Sequence, residues 1–216
     1  MVSFFGGKEK AGGGAVSQER VPRNSSGWGK ILERMRGDEQ LRVLDVGPTS
    51  SGNINLITSL GHSIYLANPV EDASKKEWTP TQPDGTPGEF EVERFLESQL
   101  SFSGRGFDIV LLWDTADYLP EVVVALLLRR IHSVMEPNGQ MLAMFHSPQT
   151  AGTSAPKADF SRYHLTDSSK VDVQRVGDFP LVSTFTNRQI EKLLEDFKSF
   201  TFFLSKDNVR EVLVTR

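Results

Sequence analysis

A chain of 216 residues with 38% hydrophobic and 24% charged residues has the length and apolar content of one globular domain, able to bury about 70% of its unfolded surface without staples. It has no cysteine, which excludes thiol nucleophiles, thiolate metal sites and a disulfide scaffold, and makes a cytoplasmic setting the expectation. The net charge of −4 argues against a chain built to coat nucleic acid or an anionic membrane, and no apolar run approaches the ~20 residues of a spanning helix.

Charge is unevenly spread: residues 1–36 hold seven Lys/Arg against three Asp/Glu, leaving 17 basic and 25 acidic residues for the remainder. The opening stretch, with Gly6-Gly7, Gly12-Gly13-Gly14 and Ser25-Ser26-Gly27, has too little apolar periodicity to offset its backbone entropy. Residues 1–25 therefore read as a flexible tail ahead of a domain over 26–216, with its core over 38–216. Trp28, Ile31, Leu32 and Met35 recur at helical spacing up to Gly37.

From Leu41 the pattern alternates. Leu41 to Val46 is a short apolar strand ending at Gly47, and Ile54, Ile57 and Leu60 mark a helix that closes at Gly61. His62 to Leu66 predicts a second strand, Val70 to Trp78 a weak helix, and Phe90 to Leu96 a third strand. The nearly continuous apolar run from Phe107 to Trp113 suits the middle of a parallel sheet. Pro120 suits the first turn of a helix reaching about Met135, and Met141 to Phe145 is a fifth strand.

The C-terminal part breaks the rhythm. Arg162 to Leu165 and Val171 to Val176 flank Asp167-Ser168-Ser169 as a small hairpin, within an insertion over about 150–182. Thr186 and Gln189 have capping-box spacing, with Phe185 and Ile190 placed as a staple, so a helix should run from about Asn187 to Phe197. Ser199 to Leu204 and Val209 to Val214 are joined by too few residues for a parallel crossover and must form an antiparallel hairpin.

In an open α/β sheet, ligands bind beyond the C-terminal ends of the strands where chain order switches. The first strand ends there in Asp45-Val46-Gly47-Pro48-Thr49-Ser50-Ser51-Gly52-Asn53. With the helix that follows, the parallel sheet and the terminal hairpin, residues 40–216 resemble the class I S-adenosylmethionine-dependent methyltransferases. The first motif of that family runs apolar, apolar, acidic, apolar, glycine, any, glycine, any, glycine. Val43-Leu44-Asp45-Val46-Gly47 matches its opening, while Thr49 and Ser51 stand for the second and third glycines and Gly52 comes one position late.

The resemblance implies a Rossmann-like three-layer α/β sandwich with seven strands in the order 3-2-1-4-5-7-6, strand seven antiparallel. It implies S-adenosylmethionine as cofactor, contacted by Asp45, Gly47, Thr49, Ser51, Asn68 and Trp113. Asn68 stands where the family has an acid that accepts hydrogen bonds from two ribose hydroxyls; an amide oxygen also accepts, but without charge. The adenine-contacting residue after strand three has no clear counterpart, and Leu96 and Leu100 read as core.

The segment from Phe107 to Asp114, followed by Tyr118-Leu119-Pro120, is similar to the family's fourth motif. Asp114, Asp117, Tyr118 and, after strand five, His146 are the catalytic candidates: carboxylates to orient an amine or take a proton, rings to stack on a planar substrate, an imidazole that titrates near neutrality. Each also has a plain structural role as cap or core residue. A small molecule is the expected acceptor, with no nucleic acid, membrane or metal partner, since the four histidines show no tight ligand spacing.

Two other classes remain open. A nicotinamide-dependent oxidoreductase needs G-x-G-x-x-G, for which Gly47 and Gly52 supply the ends but Thr49 fills the middle. A methyltransferase-like fold without activity, serving as an interaction module, is supported by Thr49, Ser51 and Asn68 and opposed by the retained Asp45, Gly47 and polar cluster after strand four.

Overall fold

The computed structural model describes residues 18–86, 88–102, 104–148, 160–177, 179–203 and 207–216. Its first element is a short strand, β1 (Val21–Asn24), after which Ser25 caps α1 (Ser26–Met35) by accepting a hydrogen bond from the Trp28 amide at 3.1 Å. The tail expected through residue 25 thus gives way to paired chain at Val21, and the rest of that expectation, residues 1–17, lies outside the described residues. The cause is a partner far along the chain that local composition does not reveal. Arg23 on β1 reaches the carboxylates of Asp207 at 2.7 Å and Glu211 at 3.0 Å. Trp28, Ile31, Leu32 and Met35 are all buried, so the packed core begins well before residue 38.

The elements that follow are β2 (Arg42–Val46), α2 (Ser51–Ser59), β3 (Ser63–Ala67), α3 (Pro69–Ala73), α4 (Val92–Gln99), β4 (Phe107–Trp113), α5 (Glu121–Val134) and β5 (Met135–His146). Next come β6 (Phe160–Leu165), β7 (Lys170–Gly177), α6 (Asn187–Leu193), β8 (Ser199–Phe203) and β9 (Val209–Thr215). Among the described residues the main sheet has six strands in the order β3-β2-β4-β5-β9-β8. Its first four are parallel, and β9 runs antiparallel to both β5 and β8, as the short connection requires. A second sheet, β1-β7-β6, is antiparallel throughout.

The seven-strand expectation is corrected at its third member. Phe90 to Leu96 does not form a strand: from Val92 the chain is helical, because Val92, Phe95 and Leu96 are buried together at helical spacing while Glu93, Arg94 and Glu97 face out. The alternation of Phe90, Glu91 and Val92 is too short to outweigh that stripe. In consequence β3 becomes an edge of the main sheet. The fifth strand is also longer than expected, running from Met135 through Pro137-Asn138 with Asn138 at a positive φ of 62°.

The sheet separates two apolar layers. On one face α4, α5 and α6 pack through Phe95, Val123, Leu127, Ile131 and Ile190. On the other, α1, α2 and the β6–β7 hairpin pack through Trp28, Ile31, Ile57, Tyr163 and Val171. Thr186 and Gln189 form the capping box that starts α6.

Asn53, fully buried in the first turn of α2, ties the hairpin to the main sheet layer. Its amide donates to the Tyr163 carbonyl at 2.9 Å, and its carbonyl accepts from the Leu165 amide at 2.9 Å, so one side chain pairs with strand β6 as another strand would. Removing it strands a buried N–H and a buried C=O. Asn53→Ala is expected to lower stability by about 2–4 kcal/mol in urea unfolding, with loss of near-ultraviolet signal from the Trp113–Tyr163 pair at lower urea than for the wild type.

Candidate functional site

The site is built where β4 ends. Gly47, leaving β2, donates to the Ala67 carbonyl on β3 at 2.7 Å, and a Cβ here would stand 3.3 Å from both Thr115 Oγ1 and Trp113 Cδ1. Only glycine leaves that approach unstrained. Thr115 in turn donates to the Val46 carbonyl at 2.7 Å, locking the segment after β4 to the end of β2. Ser50 caps α2 by accepting from the Asn53 amide at 3.2 Å, while Ser51 is exposed on its first turn.

Trp113 takes a left-handed φ of 52°, uncommon for a bulky residue, where the pairing of β4 with β5 slips register. That backbone turns its indole back across the sheet end. The indole N–H donates to Asp45 Oδ1 at 2.7 Å, and the ring stacks on Tyr163 with centroids 4.9 Å apart and planes 5° from parallel. Tyr163 then donates its hydroxyl to Asp114 Oδ2 at 3.0 Å. Asp45, Trp113, Tyr163 and Asp114 thus form one continuous chain of contacts.

Below Tyr163 lies a cavity of about 740 Å³ lined by Asp114, His146, Ser161, Tyr163, Arg23 and Glu211 among others. The His146 ring holds Asp117 Oδ2 through Nδ1 at 2.8 Å, and the His146 backbone amide donates to the same oxygen at 2.5 Å. A carboxylate at Nδ1 places the neutral ring's proton there and leaves Nε2 as the acceptor. Asp117 itself is fully buried behind the ring, and Tyr118 packs edge-on against His146 and Phe160.

The structure therefore sorts the catalytic candidates. Asp114 and His146 reach the cavity; Asp117 orients His146, and Tyr118 supports it. Among the expected cofactor residues, Asp45, Gly47 and Thr49 gather at the end of β2 and Asn68 follows β3. Asp45 Oδ2, Thr49 Oγ1 and Asn68 Oδ1 are all buried without a hydrogen-bond partner among the described residues. Asn68 precedes α3 but its side chain makes no capping bond there. Orphaned buried acceptors at this edge fit a ligand carrying hydroxyl and ammonium donors, which S-adenosylmethionine does.

Tyr163, Asn53, Arg23 and Glu211 were not among the sequence candidates. The alternation of Arg162, Tyr163, His164 and Leu165 marks Tyr163 and Leu165 as one face of a strand, but nothing local says what that face covers.

Burial sets the electrostatics. It pushes Asp114 up to about 7, with Asp117 adding repulsion and with His146 and the Tyr163 hydroxyl opposing. Burial also raises Asp45 and Asp117; the hydrogen bond from the Trp113 indole opposes it at Asp45, and the His146 contacts oppose it at Asp117. For His146, burial works downward but is outweighed by the Asp117 hydrogen bond and the charges of Asp114 and Asp117, so its pKa rises.

A methyltransferase domain family model matches residues 18–197, most of the chain. This chain belongs to that family. Its fold is that of the class I S-adenosylmethionine-dependent methyltransferases, and S-adenosylmethionine is the cofactor that family and fold imply. No curated protein sequence matches this chain significantly. Among solved structures it is similar to the PH0226 protein of Pyrococcus horikoshii OT3, at TM-score 0.49 and 11% identity over 87% of this chain and 88% of that one. It is also similar to magnesium protoporphyrin IX methyltransferase of Synechocystis PCC 6803, at TM-score 0.46 and 14% identity over 88% and 77%. An O-methyltransferase family protein from Burkholderia thailandensis matches at TM-score 0.45 and 12% identity over 87% of this chain and 55% of its own length.

Burial of Asp114 couples the stability of the fold to pH. That residue's folded pKa of about 7 lies above the ordinary carboxylate value of 3.8, so the native state favours the protonated form. Below about pH 4 both folded and unfolded chains carry that proton and burial is free of charge; the cost grows from there and is complete above about pH 7. Asp114→Asn is expected to match the wild type near pH 4 and to exceed it in stability at pH 8 by as much as about 4 kcal/mol, measured by urea unfolding across that range.

Proposed function

We propose that this protein is an S-adenosylmethionine-dependent methyltransferase acting on a small molecule, with His146 as general base. The observation that carries this is the Asp117–His146 pair, whose imidazole opens onto the cavity beneath Tyr163 with Nε2 unclaimed by Asp117. When bound, the cofactor supplies an electrophilic sulfonium methyl. Asn68 would accept from its ribose hydroxyls, Thr49 and the start of α2 would meet its carboxylate, and Asp45 would meet its ammonium. Gly47 and Ser51 complete the loop, and Trp113 would pack beside the cofactor.

The chain's own residues then account for the rest. The hairpin covers the cavity and holds water back, which strengthens every charge inside it. Asp117 fixes the tautomer and orientation of His146, and His146 takes the acceptor's proton at Nε2. Alignment of the two reactants supplies much of the acceleration in a displacement whose leaving group is already good. Among the described residues the acid-rich cavity lining, with Arg23 already paired, is unsuited to a polyanion, which supports a small acceptor over nucleic acid.

Calorimetry with S-adenosylmethionine and its demethylated product is the first test: micromolar binding is expected, and no heat at millimolar ligand would favour the inactive interaction module. Asn68→Asp should tighten binding about tenfold, because a carboxylate accepts stronger hydrogen bonds from two hydroxyls than an amide does.

Labelled-methyl transfer to a metabolite extract tests the base. His146→Ala should lower the rate by roughly 10²–10⁴-fold. Asp117→Asn should lower the His146 pKa seen by proton NMR titration, since the Asp117 charge and the strength of its hydrogen bond are lost while the burial that depresses the imidazole remains.

A further inference from the structure

We propose that the methyl acceptor is a small amine, bound in the cavity as its ammonium against the Asp114 carboxylate. This rests on the methyltransferase activity proposed above. Among the described residues the cavity's lining carries three carboxylates, Asp114, Asp207 and Glu211, and one guanidinium, Arg23. Arg23 is already committed: it donates to Asp207 at 2.7 Å, to Glu211 at 3.0 Å and to the Val209 carbonyl at 3.3 Å. Glu211, only 2% exposed, also accepts from the Gly27 amide at the start of α1, so its charge is answered twice over.

Asp114 is the exception. It is 2% exposed, opens onto the cavity, and forms no ion pair with Lys or Arg among the described residues. Among the described residues, the side chain that donates to it is the neutral Tyr163 hydroxyl. The rise of its pKa to about 7 expresses the same fact: a carboxylate withdrawn from water with too little positive charge beside it. An incoming ammonium supplies that charge and a donor. A carboxylate or phosphate ligand would meet Asp114 with Asp117 behind it, and an alcohol would leave Asp114 uncompensated.

The chemistry balances with the residues present. One ammonium proton passes to His146 Nε2, which frees the nitrogen lone pair. The N–C bond forms as the S–C bond breaks, with the bonding pair retained on sulfur. The methylated nitrogen keeps its remaining protons, emerges as a methylammonium and stays paired with Asp114 until release.

Saturation-transfer NMR on the full chain tests this with a mixture of aromatic and aliphatic primary amines, their matched alcohols and their matched carboxylates. Amines are expected to bind the wild type at least tenfold better than alcohols or carboxylates, and to lose that preference in Asp114→Asn, whose folding is checked by its melting curve. Alcohols or carboxylates binding as well as amines, a preference that survives in Asp114→Asn, or no amine binding at all would each overturn it. Calorimetry with S-adenosylmethionine on the same sample judges the methyltransferase activity separately: cofactor binding without amine preference sinks the acceptor class alone.

Discussion

The rest of the site depends on how the chain leaves β4. This strand is buried between β2 and β5, so every polar group that follows it must find its partner inside the protein. The slip in register and the left-handed turn at Trp113 meet that demand, and their cost is spread over several bonds. Indole to Asp45, Thr115 to the Val46 carbonyl and Tyr163 to Asp114 all form within three residues of the turn. A straighter exit would break each of them and separate the acid on β2 from the acid after β4.

That arrangement links two groups of residues. Asp45, Gly47, Thr49 and Asn68 lie toward the edge formed by β2 and β3, while Asp114 and His146 face the cavity under the hairpin. The stacked Trp113 and Tyr163 rings link the two groups, the indole N–H bonded to Asp45 and the Tyr163 hydroxyl to Asp114. Three buried carboxylates within this small volume cost solvation, and a scaffold selected for stability alone would carry apolar residues there.

Much of the fold was legible in the sequence because its signals are local. The apolar run of Phe107 to Trp113, the Thr186/Gln189 box and the short link before Val209 each specify an element by period or spacing, and each is present. Phe90 to Leu96 turns helical at Val92 because the buried stripe of Val92, Phe95 and Leu96 follows helical spacing. The cofactor loop was visible through Asp45 and Gly47, and the segment after β4 through Asp114 and Asp117. Tyr163, Asn53 and Arg23 were not, because their meaning lies in partners brought up from elsewhere: Asn53 bonds residues 110 and 112 positions away, and no periodicity records that.

The clasp between β1 and the terminal hairpin has a consequence for the order of assembly. Arg23 meets Asp207 and Glu211 across 184 and 188 residues, nearly the whole length of the chain. During synthesis on a ribosome, β2, β3 and β4 can pair while later residues are still being added, but the clasp must wait until the last strand has left the exit tunnel. The wall of the cavity that Arg23 supplies is therefore the last part to close, and a nascent chain paused before Glu211 would hold a largely formed sheet with an open site.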